Sequence, residues 1–264
     1  MADYFAKKYE NRRHAEEHTA RVAERYVDEI AGCIRRSSVY GPGSLSGAAS
    51  PTGECFRSVQ AVLPLDSVSA VFQMRNDHPG SRIAVLNFAS YKAPGGLFMS
   101  GSSAQEESLC HESFLYNVLS AGTNFYEWNK KHLNRHLYLD RAVYSPDIRF
   151  FRSGNSVLCD VISCAAPNHT AASKYAGVTP DENLAAMRQR ISFVRDIAVK
   201  QQVDVLVAGA YGCGVFGQDP EVVASMFNEA FSSVSRMMQV IYAVPAGVDP
   251  GNLLAFCRVL KRKG

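Results

Sequence analysis

The sequence predicts an α/β protein in which a mixed, mostly parallel sheet lies between two layers of helices. Apolar runs without polar alternation, such as Ile83 to Phe88, are typical of strands that are buried on both faces. Amphipathic helical stretches alternate with these runs, and several runs end in loops rich in glycine or proline. A helical stretch before the first strand predicts an N-terminal helical extension, so the fold has three layers, α/β/α, plus this extension.

The composition indicates an ordinary globular chain. It has 264 residues, 47% of them hydrophobic and 20% charged, which is enough to bury one large core. The net charge of +3 neither demands a nucleic-acid partner nor excludes a small anionic ligand. The seven cysteines are odd in number and dispersed, without metal-ligand spacing, which is typical of reduced thiols. Because no run is long enough to span a membrane and the first residues are highly charged, we expect a cytoplasmic protein, or one delivered by a route that needs no cleaved signal.

The N-terminal extension is predicted as one long helix from Phe5 to Arg36. Val22, Tyr26, Ile30 and Ile34 recur at a spacing of four residues and would form its buried face. The glycine, serine and proline residues that follow, in residues 37–53, predict a surface loop without helix or strand. The expected division is therefore an extension with its loop in residues 1–54 and one domain in residues 55–264.

The domain itself alternates strands and helices. The predicted elements, in order, are a strand at Arg57 to Leu63, a helix capped by Asp66, a strand at Ile83 to Phe88, a helix at Gln105 to Ser120, strands at Tyr138 to Tyr144 and Val157 to Cys164, a helix from Pro180 to about Gln201, a strand at Val203 to Ala208, a helix from Pro220 to about Ser233, a strand at Gln239 to Val244, and a helix at Leu253 to Leu260. Thr179 with Pro180 is a strong helix start, since proline fits the first helical position.

Two adjacent carboxylates, Glu106 and Glu107, begin the helix that follows the strand at Ile83 to Phe88. The inward face of that helix is predicted to consist of Leu109, Phe114, Leu115 and Val118. The two acids would then lie outside this face, at the end of the preceding loop. One explanation is that acids simply stabilise the start of a helix. The other is that they are free for chemistry.

Three loops leave the carboxyl ends of predicted strands, near Gly95, Pro167 and Gly209. In open α/β sheets ligands bind at this edge, so we expect the three loops to form one crevice. The third loop, GAYGCGVFG, has four glycines in nine positions and could direct backbone N–H groups at a pyrophosphate. Its alternative is a tight turn between strand and helix. The glycine spacing matches neither a Walker A loop nor a dinucleotide-binding fingerprint.

Other candidate groups have weaker support. Cys213 could be activated by a positive loop, but a small buried side chain explains it as well. His14 and His18 have a spacing that suits a metal, yet no further ligands are evident, so a structural role is favoured. Ser108 and Ser113 lack a clear histidine partner, although His111 is near in sequence. The remaining reactive groups are the paired acids, which next to a sugar phosphate point to cleavage of a glycosidic bond.

Three motifs in this order carry a family resemblance: PGGLFMSGSSAQEESLC from Pro94, AAPN from Ala165 and GAYGCGVFG from Gly209. Together they resemble the microbial-type poly(ADP-ribose) glycohydrolases of the macrodomain superfamily. That family has a three-glycine run, a Gln-Glu-Glu triplet, an Ala-Pro-Asn strand end and a glycine-rich loop. The similarity covers roughly residues 57–244, and a helical extension is also typical of the family. It implies a macrodomain-like fold that binds ADP-ribose.

The resemblance implies a role for each matching residue. Glu107 would be the catalytic carboxylate, and Glu106 would support substrate placement. The other residues would bind substrate: Asn87 at the ribose, Gly95, Gly96, Leu97 and Gln105 in the catalytic loop, and Gly212, Cys213, Gly214, Val215 and Phe216 around the diphosphate. Phe216 would lie against the ribose or adenine, although an aromatic ring packed on the core is the alternative. The implied reaction needs neither a metal nor a cofactor.

The chain departs from the family pattern at three positions. Leu97 stands in place of the third glycine, Ala93 in place of an asparagine, and Gln218 in place of another asparagine. Because leucine disfavours a positive φ, we expect the catalytic loop to bend differently or to be displaced. The first hypothesis is an ADP-ribosyl glycohydrolase that acts on polymeric or monomeric ADP-ribosylation.

Two other functions compete with this one. The chain could be a reader that binds ADP-ribose without cleaving it, or a nucleotide-handling enzyme unrelated to ADP-ribosylation. Turnover of ADP-ribosylated protein distinguishes the glycohydrolase from the reader. Binding of ADP-ribose distinguishes both of them from the unrelated nucleotide-handling enzyme. We expect a monomer whose partner is ADP-ribose or an ADP-ribosylated macromolecule, with no membrane association and no sequence-specific nucleic-acid binding.

Overall fold

A seven-stranded mixed sheet lies at the centre of the molecule. The computed structural model describes residues 2–45, 55–121, 124–247 and 250–261. The strands are β1 (Ser38–Tyr40), β2 (Val59–Leu63), β3 (Ile83–Phe88), β4 (Ala142–Arg152), β5 (Asn155–Cys164), β6 (Val205–Ala208) and β7 (Gln239–Ala243). Their order is β1-β4-β5-β3-β6-β7-β2, and the pairings from β5 across to β2 are parallel. Strand β4 is antiparallel to both of its neighbours, β1 and β5. The predicted mixed, mostly parallel sheet is confirmed.

Helices cover both faces of this sheet. They are α1 (Ala2–Arg25), α2 (Val27–Arg36), α3 (Ser67–Asp77), α4 (Gln105–His111), α5 (Leu115–Leu119), α6 (Phe125–Lys131), α7 (His169–Ala176), α8 (Pro180–Lys200), α9 (Pro220–Ala230) and α10 (Gly251–Lys261). Helices α8, α9 and α10 pack on one face, and α1 to α6 contribute to the core on the other. No helix in the described part of the chain is apolar over enough length to cross a membrane.

Strand β3 shows why the central strands are apolar throughout. Ala84 and Leu86 face the core layer of α8 and α9, whereas Ile83 and Val85 face the layer of α3 to α5. All four side chains are at most 1% exposed. Since both faces of the strand are covered, no polar alternation is possible along it.

The helix starts that the sequence predicted are present. Asp66 accepts a hydrogen bond from the Ser69 N–H, and Asp219 accepts bonds from two N–H groups at the start of α9. Thr179 forms a capping box with Glu182, with Pro180 at the first helical position. Each device satisfies N–H groups that have no partner inside the helix.

The N-terminal prediction was wrong in two details. The long helix is broken at Tyr26, whose backbone leaves the helical region, so α1 and α2 are separate. The segment expected to lack strand contains β1, which pairs antiparallel with β4. The rest of that predicted loop, residues 46–54, lies outside the described residues. A strand of three residues is hard to predict from sequence, because β1 is stabilised by its pairing with β4 rather than by the local preference of its residues.

The predicted strand at Tyr138 to Tyr144 was largely wrong, since β4 begins at Ala142 and extends to Arg152. Proline and aspartate at positions 146 and 147 are typical of a turn, which hid the second half of the strand. The structure accommodates them in a bulge between Ser145 and Ile148, where Asp147 adopts a φ of 55°. A bulge lets a strand continue past residues that a regular ladder excludes.

The helix predicted from Gln105 to Ser120 is interrupted after His111. Ser113 is fully buried and forms an isolated bridge with Phe150 of β4. Its hydroxyl donates to the Leu109 carbonyl at 2.6 Å and accepts from the Leu115 N–H at 3.0 Å. These bonds replace helical ones, so α4 and α5 meet at an angle that the periodicity did not reveal.

Candidate active site

Three loops converge at one edge of the sheet, as predicted. Because β5, β3 and β6 are adjacent and parallel, their carboxyl ends open on the same side. The loops also contact one another directly. The Tyr211 hydroxyl donates to the Cys164 carbonyl at 3.0 Å, and the Thr170 N–H donates to the Phe216 carbonyl at 3.1 Å. The Ala89 N–H, at the start of the loop after β3, also donates to the Cys164 carbonyl, at 3.2 Å, so the three segments meet where the crevice was predicted.

Glu106 and Glu107 occupy the first turn of α4 and line this crevice. Their exposed fractions are 4% and 6%, so the prediction that they lie outside the buried face was wrong. Gly96 packs directly over them. A Cβ atom at Gly96 would lie 2.7 Å from Oε1 of Glu107 and 2.8 Å from Oε2 of Glu106. Only glycine leaves room for both carboxylates beneath the loop.

Glu106 is held from both sides by N–H donors. Its Oε2 accepts from the Ser90 N–H at 2.7 Å, and its Oε1 accepts from Nδ2 of Asn87 at 3.2 Å. Burial raises the pKa of Glu106 to about 8, against the opposing effect of these donors. A neutral Glu106 reduces the repulsion that two adjacent buried carboxylates would otherwise experience.

Glu107 has a different environment. Its Oε1 accepts from the Leu97 N–H at 2.9 Å. Its Oε2 makes no hydrogen bond within the described residues. One oxygen is therefore fixed by the loop while the other is available to a bound molecule.

The loop that covers the acids does not need a third glycine. Gly95 and Gly96 have φ values of 64° and 61°, which favour glycine, whereas Leu97 has an ordinary φ of −106°. The leucine side chain is 61% exposed. The expectation that Leu97 makes the loop bend differently or displaces it stays a prediction, since this structure shows only that the φ of Leu97 is ordinary.

Asn87 and Gln105 connect the acids to strand β3. Asn87 is fully buried, donates to Ser163 Oγ at 3.0 Å, and leaves its Oδ1 without a partner in the described residues. The Gln105 amide accepts from the Phe88 N–H at 2.9 Å and donates to the Leu86 carbonyl at 2.9 Å. Gln105 thus ties the start of α4 to the end of β3, and its role toward a substrate stays a prediction.

The glycine-rich loop presents unpaired backbone donors. Within the described residues, the N–H groups of Gly214, Val215 and Phe216 have no hydrogen-bond partner. Gly212 and Gly217 have φ values of 78° and 72° and allow the sharp turns on either side. Backbone N–H groups without a partner are the donors from which anion sites are built, so the role of this loop toward a phosphate stays a prediction. The N-terminus of α9 is not the site, since Asp219 already caps it.

Side chains of the same loop differ in their surroundings. Val215 is 88% exposed. The Phe216 ring lies edge-on to Tyr138, with centroids 6.2 Å apart, and packs on a small cluster of Tyr91, Tyr138 and Ala165. Burial raises the pKa of the Cys213 thiol to about 12, so the structure favours a filler role over an activated nucleophile.

Several site residues gave no signal in the sequence. Ser90 contributes only its backbone N–H, and Ser163 acts through Asn87, so neither belongs to a recognisable motif. Tyr91 and Tyr138 stack with centroids 4.2 Å apart although 47 positions separate them. Gln218 is buried and joins Pro167 to Asn183. The position of Tyr91, an aromatic residue shortly after the end of a predicted strand, is the sequence feature that could have identified it as a site residue.

The histidines of α1 have structural contacts. Nε2 of His18 donates a hydrogen bond to the Ser113 carbonyl oxygen at 2.7 Å, and burial lowers the pKa of His18. His14 meets His111, with their Nδ1 atoms 3.0 Å apart. The described residues contain no group of three or more side chains with metal-binding geometry.

Comparison with known proteins identifies relatives of this chain. The family model for the catalytic domain of microbial-type PARG, poly(ADP-ribose) glycohydrolase, matches residues 7–153. A search of curated proteins found no match.

Solved structures of bacterial glycohydrolases have the same fold. The enzyme from Thermomonospora curvata bound to the inhibitor ADP-HPD superposes with a TM-score of 0.84 and 29% identity, over 95% of this chain and 99% of that chain. The enzyme from Deinococcus radiodurans in complex with ADP-ribose gives a TM-score of 0.77 and 29% identity, over 88% of this chain and 97% of that chain.

Proposed function

We propose, from the premise that this chain belongs to the microbial-type poly(ADP-ribose) glycohydrolase family, that Glu107 is the general acid and base of its reaction. The chain is an ADP-ribosyl glycohydrolase, a hydrolase of the glycosidic bond to ribose. The observation that carries the role of Glu107 is its pair of unlike oxygens. One is fixed by the Leu97 N–H and the other has no partner among the described residues.

In the proposed reaction Glu107 acts first as the general acid. Its carboxyl donates a proton to the leaving oxygen as the bond from the ribose anomeric carbon to that oxygen breaks. The ribose passes through an oxocarbenium-like state, and a water oxygen then bonds to the anomeric carbon. Glu107, now a carboxylate, takes a proton from that water and returns to its starting state.

Glu106 and Asn87 would orient the ribose being released. Burial keeps Glu106 neutral at neutral pH, so it can donate a hydrogen bond to a hydroxyl or carbonyl group. The unpaired Oδ1 of Asn87 can accept a hydrogen bond from a ribose hydroxyl. Gly95 and Gly96 bring the loop backbone close to the same sugar.

The diphosphate would bind at the loop from Gly212 to Phe216. Its unpaired N–H groups supply the donors that phosphate oxygens need. The Phe216 ring would lie against the ribose or adenine, continuing the aromatic cluster of Tyr91 and Tyr138.

The test is turnover by Glu107→Gln. We expect release of ADP-ribose from labelled poly(ADP-ribose) to fall by about 10²-fold or more, while calorimetric binding of ADP-ribose persists, because glutamine keeps the shape but cannot transfer a proton. Glu127→Gln, at a carboxylate that is 65% exposed on α6, serves as the matched control. Full turnover by Glu107→Gln would refute the assignment.

The exposed Leu97 side chain supports a second candidate, a reader that binds ADP-ribose with little hydrolysis. At 61% exposure it stands at the catalytic loop, where the resemblance implies glycine. Binding of ADP-ribose by the wild type without turnover of polymeric or monomeric substrates would favour this candidate.

We further propose that the protein is a cytoplasmic monomer. The seven cysteines, all in the described part of the chain, form no disulfide bond, which supports a reducing compartment. Size-exclusion chromatography with light scattering tests the oligomeric state. The proposed substrate range includes both polymeric and monomeric ADP-ribosylation.

A further inference from the structure

Arg141 lies at the crevice edge of the sheet, directly before β4. Its neighbour Ala142 pairs with Cys164, the last residue of β5, so Arg141 stands next to the strand end at which the crevice opens. The Cys164 thiol also donates to the Arg141 carbonyl at 3.6 Å. None of the motifs in the sequence includes this arginine.

Two aromatic rings of α6 hold the Arg141 guanidinium in place. It lies 4.2 Å from the Trp128 ring centroid and 5.1 Å from that of Phe125. Trp128 in turn stacks on His132, with centroids 3.7 Å apart and planes 10° apart. Such stacking fixes the plane of a guanidinium while its N–H donors remain available.

The Arg141 guanidinium has no carboxylate partner within the described residues, and its Nε has no hydrogen-bond partner there. The two acids in residues 124–141 pair elsewhere. Glu127 contacts Lys130 at 2.6 Å, and Asp140 contacts Arg190 at 2.7 Å. A partly buried cation without a counter-ion stabilises little by itself and is suited to an incoming anion.

This cluster adjoins the wall of the catalytic loop. The Tyr91 hydroxyl donates to the His132 carbonyl at 3.0 Å, and Nδ2 of Asn129 donates to the Tyr91 carbonyl at 2.8 Å. Tyr91 follows Ser90, whose N–H binds Glu106. Two exposed lysines without an ion pair in the described residues, Lys92 and Lys131, add positive charge nearby.

We propose that Arg141, held by Trp128 and Phe125, is an anion subsite that binds the diphosphate of a second ADP-ribose unit, next to the unit in the crevice. The inference rests on the proposed function. The crevice has its own diphosphate site at the glycine-rich loop, so a second anion site beside the catalytic loop matches a substrate with a diphosphate in every unit. Lys92 and Lys131 supply long-range attraction for that polyanion.

The test compares binding of ADP-ribose and of size-fractionated poly(ADP-ribose), both in the Glu107→Gln background so that no substrate is consumed. We expect Arg141→Gln to weaken polymer binding roughly tenfold and to leave ADP-ribose binding unchanged. The slope of log affinity against log salt should decrease by about 0.7, as for one lost phosphate contact on a single strand. Lys131→Gln, at an exposed position, should lower the same slope and leave the melting temperature unchanged.

Arg135→Gln is the matched control, since Arg135 lies in the same segment but pairs with Glu182. It should bind polymer as the parent does. The proposal is overturned if Arg141→Gln binds polymer as tightly as this control, or if it weakens ADP-ribose and polymer equally. The proposal is also overturned, in favour of a general nucleic-acid site, if Arg141→Gln weakens binding of a single-stranded oligonucleotide of the same charge as much as it weakens polymer binding. Failure of the proposed function is detected separately, as absence of turnover in the wild type.

Discussion

At the scale of single residues, backbone N–H groups distinguish two adjacent glutamates. The Ser90 N–H binds Glu106 and the Leu97 N–H binds Glu107. The two-sided contacts fix the position of Glu106 and burial keeps it neutral, whereas one oxygen of Glu107 has no partner among the described residues. Identical side chains at consecutive positions therefore have different hydrogen-bond environments.

Glu106→Gln should remove a stability loss that the wild type shows at alkaline pH. The folded-state pKa of about 8 lies above the ordinary value of 4.5, so the folded protein keeps this proton to a higher pH than the unfolded chain. Its contribution is fully present below the unfolded pKa and is lost as the pH rises through the folded pKa. The free energy of unfolding, measured by urea denaturation at about pH 6 and about pH 9, should therefore fall less in the variant. An equal fall in both proteins would contradict the assigned pKa.

Leu97→Gly tests whether the leucine side chain obstructs the site. Its φ of −106° is ordinary and its N–H contact to Glu107 does not depend on the side chain. We expect kcat to stay within about threefold of the wild type, and the free energy of unfolding to fall by about 0.5–1 kcal/mol because glycine gains freedom in the unfolded chain. A rise in kcat of tenfold or more would show instead that Leu97 blocks substrate.

At the scale of elements, helix α1 packs against the loop that precedes Glu106 and Glu107. Nδ2 of Asn11 donates to the Gly101 carbonyl at 3.3 Å, and Thr19 contacts the Met99 sulfur at 3.9 Å. A Cβ atom at Gly101 would lie only 2.1 Å from the Lys8 carbonyl oxygen. The extension is therefore a support for the loop between Gly96 and the acids.

Gly101→Ala should loosen this support. The added Cβ must displace α1 or the loop, so we expect a lower melting temperature and a lower kcat, with the proton donor poorly placed. Gly154→Ala is the matched control, because Gly154 has a similar φ of 81° but no atom within 4 Å of the added Cβ. Both variants carry a strain of about 1–2 kcal/mol from the left-handed backbone. Equal kcat in the two variants would argue against a supporting role of α1.

At the scale of the whole molecule, one buried cation joins three segments around the crevice. Arg190 of α8 is 1% exposed, pairs with Asp140 at 2.7 Å, and donates to the carbonyls of Ala165 and Leu137. It thereby connects a helix layer, the end of β5 and the segment that precedes β4. Arg190 is therefore one of the contacts that hold the strand-end loop.

Arg190→Met should be strongly destabilising, since Asp140 and two carbonyl groups lose their partner inside the protein. We expect a fall of about 3–5 kcal/mol in the free energy of unfolding, measured by urea denaturation. Arg188→Met on the same helix removes an exposed pair with Glu229 and should change it by less than about 1 kcal/mol. A similar fall in the free energy of unfolding in both variants would mean that the buried Arg190–Asp140 pair stabilises the fold no more than an exposed pair does.

The sequence by itself determined the fold class, the central strands and the family, because these depend on local patterns. The apolar run of β3, the capping box at Thr179, and the order of the Gln-Glu-Glu, Ala-Pro-Asn and glycine-rich motifs are all readable residue by residue. Only the tertiary structure decided the rest. The burial of both acids, the bulge that carries β4 past Asp147, the ordinary φ of Leu97 and the stacking of Arg141 on α6 all depend on segments far apart in the chain. The local conformational preference of a residue does not depend on contacts with distant segments. The geometry of the site therefore follows from packing rather than from any motif.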